Sequence, residues 1–197
     1  MNKLTGIILA GGESLRMGGY DKGLILLHQK PLYQHVLKRL KPQVDYILIS
    51  ANRNIDRYKS SGYKVIKDSY KDILGPLNGI LSSLKRIKSD WAVFCPCDTP
   101  NIPLNYVKKL FNEKNHSPIV WIQSSKRDHP TMSLIHKSIL QSYKKNTKNH
   151  NYIFKYDLIS FFKKNNGYPI LFNNNETSFY NINTPLDLKN YNSTKAI

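Results

Sequence analysis

Gly6-Ile7-Ile8-Leu9-Ala10-Gly11-Gly12-Glu13-Ser14-Leu15-Arg16-Met17-Gly18-Gly19-Tyr20-Asp21-Lys22 is the stretch that decides the fold. The apolar run from Gly6 to Leu9 reads as a buried strand. It empties into a loop that holds Gly11, Gly12, Gly18 and Gly19 and ends on Lys22. Glycines let backbone N–H groups approach an anion closely and tolerate positive φ. Arg16 and Lys22 add fixed positive charge, and the combination suits a nucleoside triphosphate. The loop is not a P-loop, because no Gly-Lys-Ser/Thr follows at the required spacing. Nor does it carry the G-x-G-x-x-G dinucleotide fingerprint.

Working outward, apolar runs alternate with amphipathic stretches, as in βαβ units. Strands are expected at Thr5–Leu9, Tyr46–Ser50, Lys64–Ile66, Trp91–Cys95, Pro118–Ile122, Thr131–Ile135 and Tyr168–Phe172. Trp91 to Cys95 shows no alternation, so it reads as a central strand covered on both faces. Leu32, Val36 and Leu40 form one helical stripe, and Ile80, Leu84 and Ile87 another, entered by Gly75-Pro76. Pro103–Phe111 and Tyr152–Phe162 read as further helices, the second with Phe154, Leu158, Phe161 and Phe162 as core. A last helix is expected after Thr184 as N-cap, with Pro185 at the first position and Asp187 three residues after the cap. Lys144–Asn151 is polar and basic and reads as a loop. The expected fold is a single α/β domain over residues 1–191, a mostly parallel three-layer nucleotide-binding sheet of Rossmann-like nucleotidyltransferase type, with residues 192–197 as a tail.

The glycine loop, the Ser50-Ala51-Asn52-Arg53 segment, Asp68 and Asp98 each follow an expected strand. In an open α/β sheet the carboxyl ends of the strands share one edge, where ligands bind. Residues far apart in sequence therefore converge on one cleft. Asp98, between Pro96 and Pro100, has two readings by spacing alone: a magnesium ligand working with phosphate oxygens, or a cap for the helix near Pro103. Asp21 either pairs with a neighbouring cation or helps a metal. His129 alone is more often structural than catalytic, and no general base is needed if the attacking group is an ionised phosphate.

Five blocks recur in one order: the L-A-G-G-x-S-x-R-M-G-x-x-D-K loop, Gly75-Pro76-Leu77-Asn78-Gly79, Phe94-Cys95-Pro96-Cys97-Asp98-Thr99-Pro100, Arg127-Asp128-His129-Pro130-Thr131 and Asn181-Ile182-Asn183-Thr184-Pro185. Together they span residues 6 to about 188 and resemble the molybdenum cofactor guanylyltransferase family. The resemblance implies transfer of GMP from GTP to the molybdenum–molybdopterin cofactor, giving its guanine dinucleotide form and pyrophosphate. It implies Mg2+ on Asp98, and Lys22 and Arg16 as catalytic cations on the triphosphate. It implies a nucleotide site from Leu9, Ala10, Gly11, Gly12, Lys22, Ser50, Asp68 and Asp98, with main-chain groups of the loop on the purine edge. His129, Asn181 and Asn183 would serve the acceptor, the alternative for the two asparagines being that they close a turn before the last helix, and transient contacts with other molybdenum cofactor enzymes are expected. The chain departs from the family at Ser50, where Asn is usual before Ala-Asn-Arg. A hydroxyl is shorter and has a single donor, so the contact is expected to weaken, to run through water or to pass to Asn52. Leu186 stands where an acidic residue is common, on an expected surface position.

Composition narrows the class further. The chain has 197 residues, 40% of them hydrophobic, which suits one globular core. No run of about 18 apolar residues suggests a membrane span, and Met1–Thr5 does not begin a secretory signal. A cytoplasmic protein is expected. The two cysteines, Cys95 and Cys97, are one residue apart and read as reduced structural thiols, too few for a zinc site. The net charge of +17 has three readings: drift toward Lys from A/T-rich codons, attraction of polyanionic small molecules, or nucleic-acid binding. The basic residues are scattered rather than gathered in one arm, which disfavours the last. Alternatives to the guanylyltransferase reading are a cytidylyltransferase or sugar-phosphate nucleotidyltransferase of the same fold, a basic nucleic-acid-binding module, and an inactive relative.

Overall fold

The computed structural model describes residues 3–12, 19–70, 73, 75–147, 157–173 and 176–194. The chain runs β1 (Leu4–Leu9), β2 (Leu26–Leu27), β3 (Lys30–Pro31), α1 (Leu32–Leu40), β4 (Tyr46–Ser50), α2 (Ile55–Lys59), β5 (Lys64–Ile66), α3 (Pro76–Leu84) and β6 (Trp91–Pro96). It continues through α4 (Tyr106–Glu113), β7 (Ile119–Gln123), β8 (Asp128–His136), α5 (Ile139–Thr147), α6 (Leu158–Lys164), β9 (Tyr168–Leu171) and α7 (Pro185–Thr194). Seven strands form one sheet in the order β5-β4-β1-β6-β8-β7-β9. Only β8 runs against its neighbours, β6 and β7; the other pairs are parallel.

Strand pleating sends successive side chains to opposite faces, and two cores result. Ile8, Val93, Cys95, Val120 and Leu134 bury against α1 and α4 through Tyr33, Val36, Leu40, Tyr106 and Leu110. Ile7, Ala92, Phe94, Trp121 and Ile135 bury on the other face against α3, α5 and α6 through Ile80, Leu84, Ile139, Tyr143 and Phe162. The result is the three-layer α/β domain read from the sequence, with β1 and β6 apolar on both faces. The chain winds outward from β1 to β4 and β5, then returns to β6 on the other side of β1. This reversal opens a crevice at the carboxyl ends of those strands.

Several boundaries differ from the expectations. The helix expected from Pro103 begins at Tyr106 with Asn105 as its N-cap residue, so Asp98 does not cap it. Lys144 to Thr147 belong to α5 rather than a loop. Ile139 and Tyr143, four residues apart, anchor that helix in the core, and packing overrides the polar composition of its end. Ile87 lies beyond the end of α3. Residues 152–156 of the expected Tyr152–Phe162 helix lie outside the described residues, and α6 begins at Leu158 with the Asp157 carboxylate accepting from Ser160 N. The hairpin β2–β3 turns on His28 and Gln29, both at positive φ (47° and 63°), without the glycine that normally signals such a turn. At the last helix the expected cap is present in both directions. Asp187 N donates to Thr184 Oγ1 at 3.1 Å, and Thr184 N donates to the Asp187 carboxylate at 2.8 Å. That helix, α7, runs three residues into the segment read as a tail.

Candidate active site

Backbone hydrogen bonds continue the ladder past the strand ends and gather the loops on one edge. Ala10 N donates to Ser50 O at 2.7 Å, Ala51 N to Ile66 O at 2.9 Å, and Cys97 N to Leu9 O at 3.0 Å. The chain after β1 returns through a single short helical turn at Lys22–Leu24. Lys22 Nζ lands 2.6 Å from Asp98 Oδ2 and 2.5 Å from Asn183 Oδ1. Asp98 is only 6% exposed. Its Oδ1 is 3.3 Å from Thr99 Oγ1, which also lies 3.2 Å from Asn181 Oδ1. Ile182 N donates to Asp98 O at 2.9 Å, so the Asn181–Asn183 segment is stitched to the loop after β6. The two asparagines therefore belong to the Lys22–Asp98 cluster.

A cavity of about 560 Å³ opens on the same edge, with Leu9, Gly11, Gly12, Ser50 and Asp68 in its wall. Gly75, Pro76 and Gly79 close it from the N-terminal end of α3, where the helix dipole favours negative charge. Gly75 sits at φ +71°, ψ −162°, a region that a side chain disfavours. A Cβ on Gly79 would lie 2.8 Å from Ser50 Oγ, so glycine is what lets α3 approach. Asn78 of the same block is not part of the cavity wall. It accepts from Tyr70 N and donates to the Tyr70 and Ile73 carbonyls, holding the loop before α3.

Asn52, the residue to which the Ser50 contact is expected to pass, shares the cavity wall with Ser50. It closes a two-bond ring with Asp68: Nδ2 donates to Oδ2 at 2.8 Å, and Oδ1 accepts from Asp68 N at 3.0 Å. Asp68 Oδ1 is buried with no hydrogen-bond partner in the protein. Burial raises the Asp68 carboxyl above its ordinary value, against the lowering effect of the Asn52 bond.

Asp21, left open by the sequence, ties the end of the glycine loop to α2. It accepts from Tyr58 Oη at 2.6 Å and from Asn54 Nδ2 at 3.0 Å, and lies 3.9 Å from Arg53 Nε. Arg53 and Tyr58 were not singled out by sequence reasoning, although Arg53 stands in a segment that was. A carboxylate followed by Lys, and an arginine beside the second strand, was the available signal. Arg16 lies outside the described residues. His129 is buried on β8, with Nε2 3.2 Å from Ser124 Oγ and its ring centroid 5.2 Å from that of Phe179. The structure thus places it against Phe179, two residues before Asn181, rather than in the wall of the cavity. Cys95 and Cys97 are free and buried. Burial pushes Cys95 up to about 12 and Cys97 higher still, so both thiols are protonated and inert at neutral pH.

Among the described residues, no group of three or more His, Cys, Asp or Glu side chains could hold a metal. The oxygen donors Asp98 Oδ2 and Asn183 Oδ1 nevertheless converge on one cation, the Lys22 ammonium. One carboxylate with neutral oxygens, completed by phosphate oxygens and water, is a donor set that suits Mg2+.

The MobA-like NTP transferase domain family matches residues 6–158. The chain is 40% identical over 197 residues to the molybdenum cofactor guanylyltransferase of Serratia proteamaculans, covering 99% of this chain and 97% of that protein. It is 41% identical over 186 residues to that of Yersinia pseudotuberculosis, covering 93% and 92%. Among solved structures, molybdopterin-guanine dinucleotide biosynthesis protein A from Archaeoglobus fulgidus superposes with a TM-score of 0.75 at 20% identity over 98% of both chains. The 4-diphosphocytidyl-2C-methyl-D-erythritol synthase of Anaerococcus prevotii superposes with 0.73 at 14% identity, over 100% and 97%. At these identities the superpositions establish the fold alone. The sequence relatives and the matched domain go further: the chain belongs to the MobA-like NTP transferase domain family and is a nucleotidyltransferase.

Proposed function

We propose that the protein transfers GMP from GTP to the molybdenum–molybdopterin cofactor, in the cytoplasm. The Lys22–Asp98–Asn183 cluster, gathered on the strand-end edge of the sheet where the glycine-loop cavity also opens, is the observation that carries this reading. The terminal phosphate of the acceptor attacks the α-phosphorus of GTP. A P–O bond forms there, the bond to the β-phosphate oxygen breaks, and pyrophosphate leaves with its electron pair. The attacking phosphate is already ionised near neutral pH, so no side chain needs to remove a proton.

Positioning and electrostatics supply most of the catalysis in such transfers. Glycine-loop amides and the N-terminal end of α3 face the phosphates with positive dipoles. Lys22 neutralises charge that builds on the leaving pyrophosphate, and Arg16 adds to it. Asp98 would hold Mg2+, which on binding offsets negative charge shared between the phosphates. The Asp68 carboxylate, with its orphaned Oδ1, offers an acceptor to the nucleotide's donors, and the Leu9–Gly11 backbone reads the base edge. Asn181 and Asn183 orient the acceptor's phosphate against Lys22. His129 supports that segment through Phe179.

Pyrophosphate release, measured with each NTP in turn plus molybdopterin-loaded acceptor and Mg2+, tests the reading. GTP should be used far better than CTP or ATP. A preference for CTP would move the chain to the cytidylyltransferases. Strongly salt-dependent binding of DNA or RNA without pyrophosphate release would favour a nucleic-acid module.

A further inference from the structure

Arg53 reaches main-chain carbonyls of the described residues on both sides of positions 13–18. Its Nη1 donates to Gly19 O at 2.8 Å, and its Nη2 to Tyr20 O at 3.0 Å and Gly12 O at 3.2 Å. One guanidinium therefore holds carbonyls at both ends of the loop that leaves β1. In a trans peptide the N–H that follows a carbonyl points the opposite way, and no described peptide bond is cis. Holding the Gly19 and Tyr20 carbonyls fixes the N–H groups of Tyr20 and Asp21 on the side away from the guanidinium.

The fork itself is held in place. Asp21 lies 3.9 Å from Arg53 Nε and is gripped by Tyr58, which is fully buried. The next residue, Asn54, sits at φ +49°, a left-handed conformation that asparagine tolerates better than most. A Cβ on Gly23 would collide with the Tyr58 hydroxyl, so only glycine lets the chain after the loop press onto this network.

We infer that Arg53 is a positioning residue that holds the Gly12, Gly19 and Tyr20 carbonyls away from the triphosphate and so turns the Tyr20 and Asp21 amides toward it. The inference rests on the triphosphate reading above. Without the guanidinium, the Gly19 and Tyr20 carbonyls lose the donor that directs them and can turn toward the phosphates and repel them. Lysine keeps the charge but lacks the planar fork that serves several carbonyls at once.

The test titrates wild type, Arg53→Ala, Arg53→Gln and Arg53→Lys with GTP and with guanosine in the presence of Mg2+, alongside thermal melts. Arg53→Ala should lose roughly tenfold or more in GTP affinity, since charge-assisted bonds that orient the loop are lost, while guanosine affinity stays within about twofold. In pyrophosphate release, KM for GTP should rise more than kcat falls. Arg53→Lys should recover part of the loss and Arg53→Gln less. Should Arg53→Ala fail to fold, the Lys and Gln variants carry the comparison. Equal losses for GTP and guanosine, or none for either, overturn the inference and leave Arg53 a structural residue. A wild-type chain that binds guanosine as tightly as GTP overturns the triphosphate reading itself.

Discussion

Lys22 Nζ and Asp98 Oδ2 lie 2.6 Å apart although 76 positions separate the two residues. Lys22 is carried in by the glycine loop, and Asp98 by the segment after a central strand. Their side chains are 19% and 9% exposed, so each charge depends on the other and on Asn183 for solvation that water no longer supplies. A ligand that brings phosphates and a divalent cation to this point replaces one set of charges by another, which suits a site for phosphoryl chemistry.

Asp98→Asn keeps the shape and an oxygen for Lys22 but removes the charge. Turnover in the pyrophosphate-release assay should fall by two or more orders of magnitude, about 3 kcal/mol of barrier. The circular dichroism spectrum should stay that of the wild type. Near-normal turnover in a folded Asp98→Asn protein would remove Asp98 from the metal role.

Gly79→Ala places a Cβ 2.8 Å from Ser50 Oγ and 3.4 Å from Leu9 Cδ2, in the cavity wall. The KM for GTP should rise roughly tenfold as α3 is pushed back, the cost of overpacking being typically 1–3 kcal/mol. Pairing it with Ser50→Ala removes the nearest clashing atom and should restore part of the affinity. Steady-state kinetics on the single and double variants read this. Lack of any rescue would mean that Gly79 matters for the helix rather than for Ser50.

Asp68 has its carboxyl pKa raised by burial, with the Asn52 hydrogen bond acting against the rise. The folded chain therefore holds that proton more tightly than the unfolded chain. The resulting stabilisation is complete below the ordinary carboxylate pKa of 3.8 and disappears as pH rises through the higher folded value. Ionised Asp68 is thus a cost at neutral pH, and Asp68→Asn should raise the melting temperature there while weakening GTP binding. Melts across pH 3 to 8 (a range chosen to bracket the carboxylate values of about 4) should show the gap between variant and wild type closing toward acid. A variant that melts lower than the wild type at pH 7 would contradict this.

Asp187 behaves in the opposite sense. Burial pulls its carboxyl upward, but bonds from Tyr180 Oη, Asn183 N and Thr184 outweigh it, so the folded pKa is lowered. Its stabilisation is present above the ordinary carboxylate value and is lost as pH falls through the folded one. Asp187→Asn should lower the melting temperature at pH 7 and converge with the wild type in acid. Because Asp187 holds the amide of Asn183, turnover should fall with it. Unchanged turnover would mean that the cap does not set the position of Asn183 beside Lys22.

The alternating apolar runs were enough to locate the strands of the main sheet, because a strand buried on both faces needs an unbroken hydrophobic run that little else in a chain resembles. Trp91 to Cys95 and Ile7 to Leu9 are of that kind. The reciprocal cap at Thr184 and Asp187 was equally legible, since both partners lie within one turn. The hairpin at His28 and Gln29 was not, because no glycine marks its positive φ angles. Nor was the helical end of α5, whose stability comes from Ile139 and Tyr143 packing into a core that the local sequence does not contain.

The site divides along the same line. The residues proposed to carry the chemistry, Lys22, Asp68, Asp98 and the asparagine pair, stand in ordered motifs whose resemblance to a known family is written in the linear chain. What each of them faces does not follow. Lys22 meets Asp98 and Asn183 only because the crossover from β1 to β4 and β5 and back to β6 brings three distant loops to one edge. Asn52 closes on Asp68, and Arg53 grips the carbonyls of Gly12, Gly19 and Tyr20. Those directions are set by side-chain geometry in three dimensions: a hydrogen bond is formed or lost within a few tenths of an ångström and a few tens of degrees, and sequence spacing between loops carries no information at that scale.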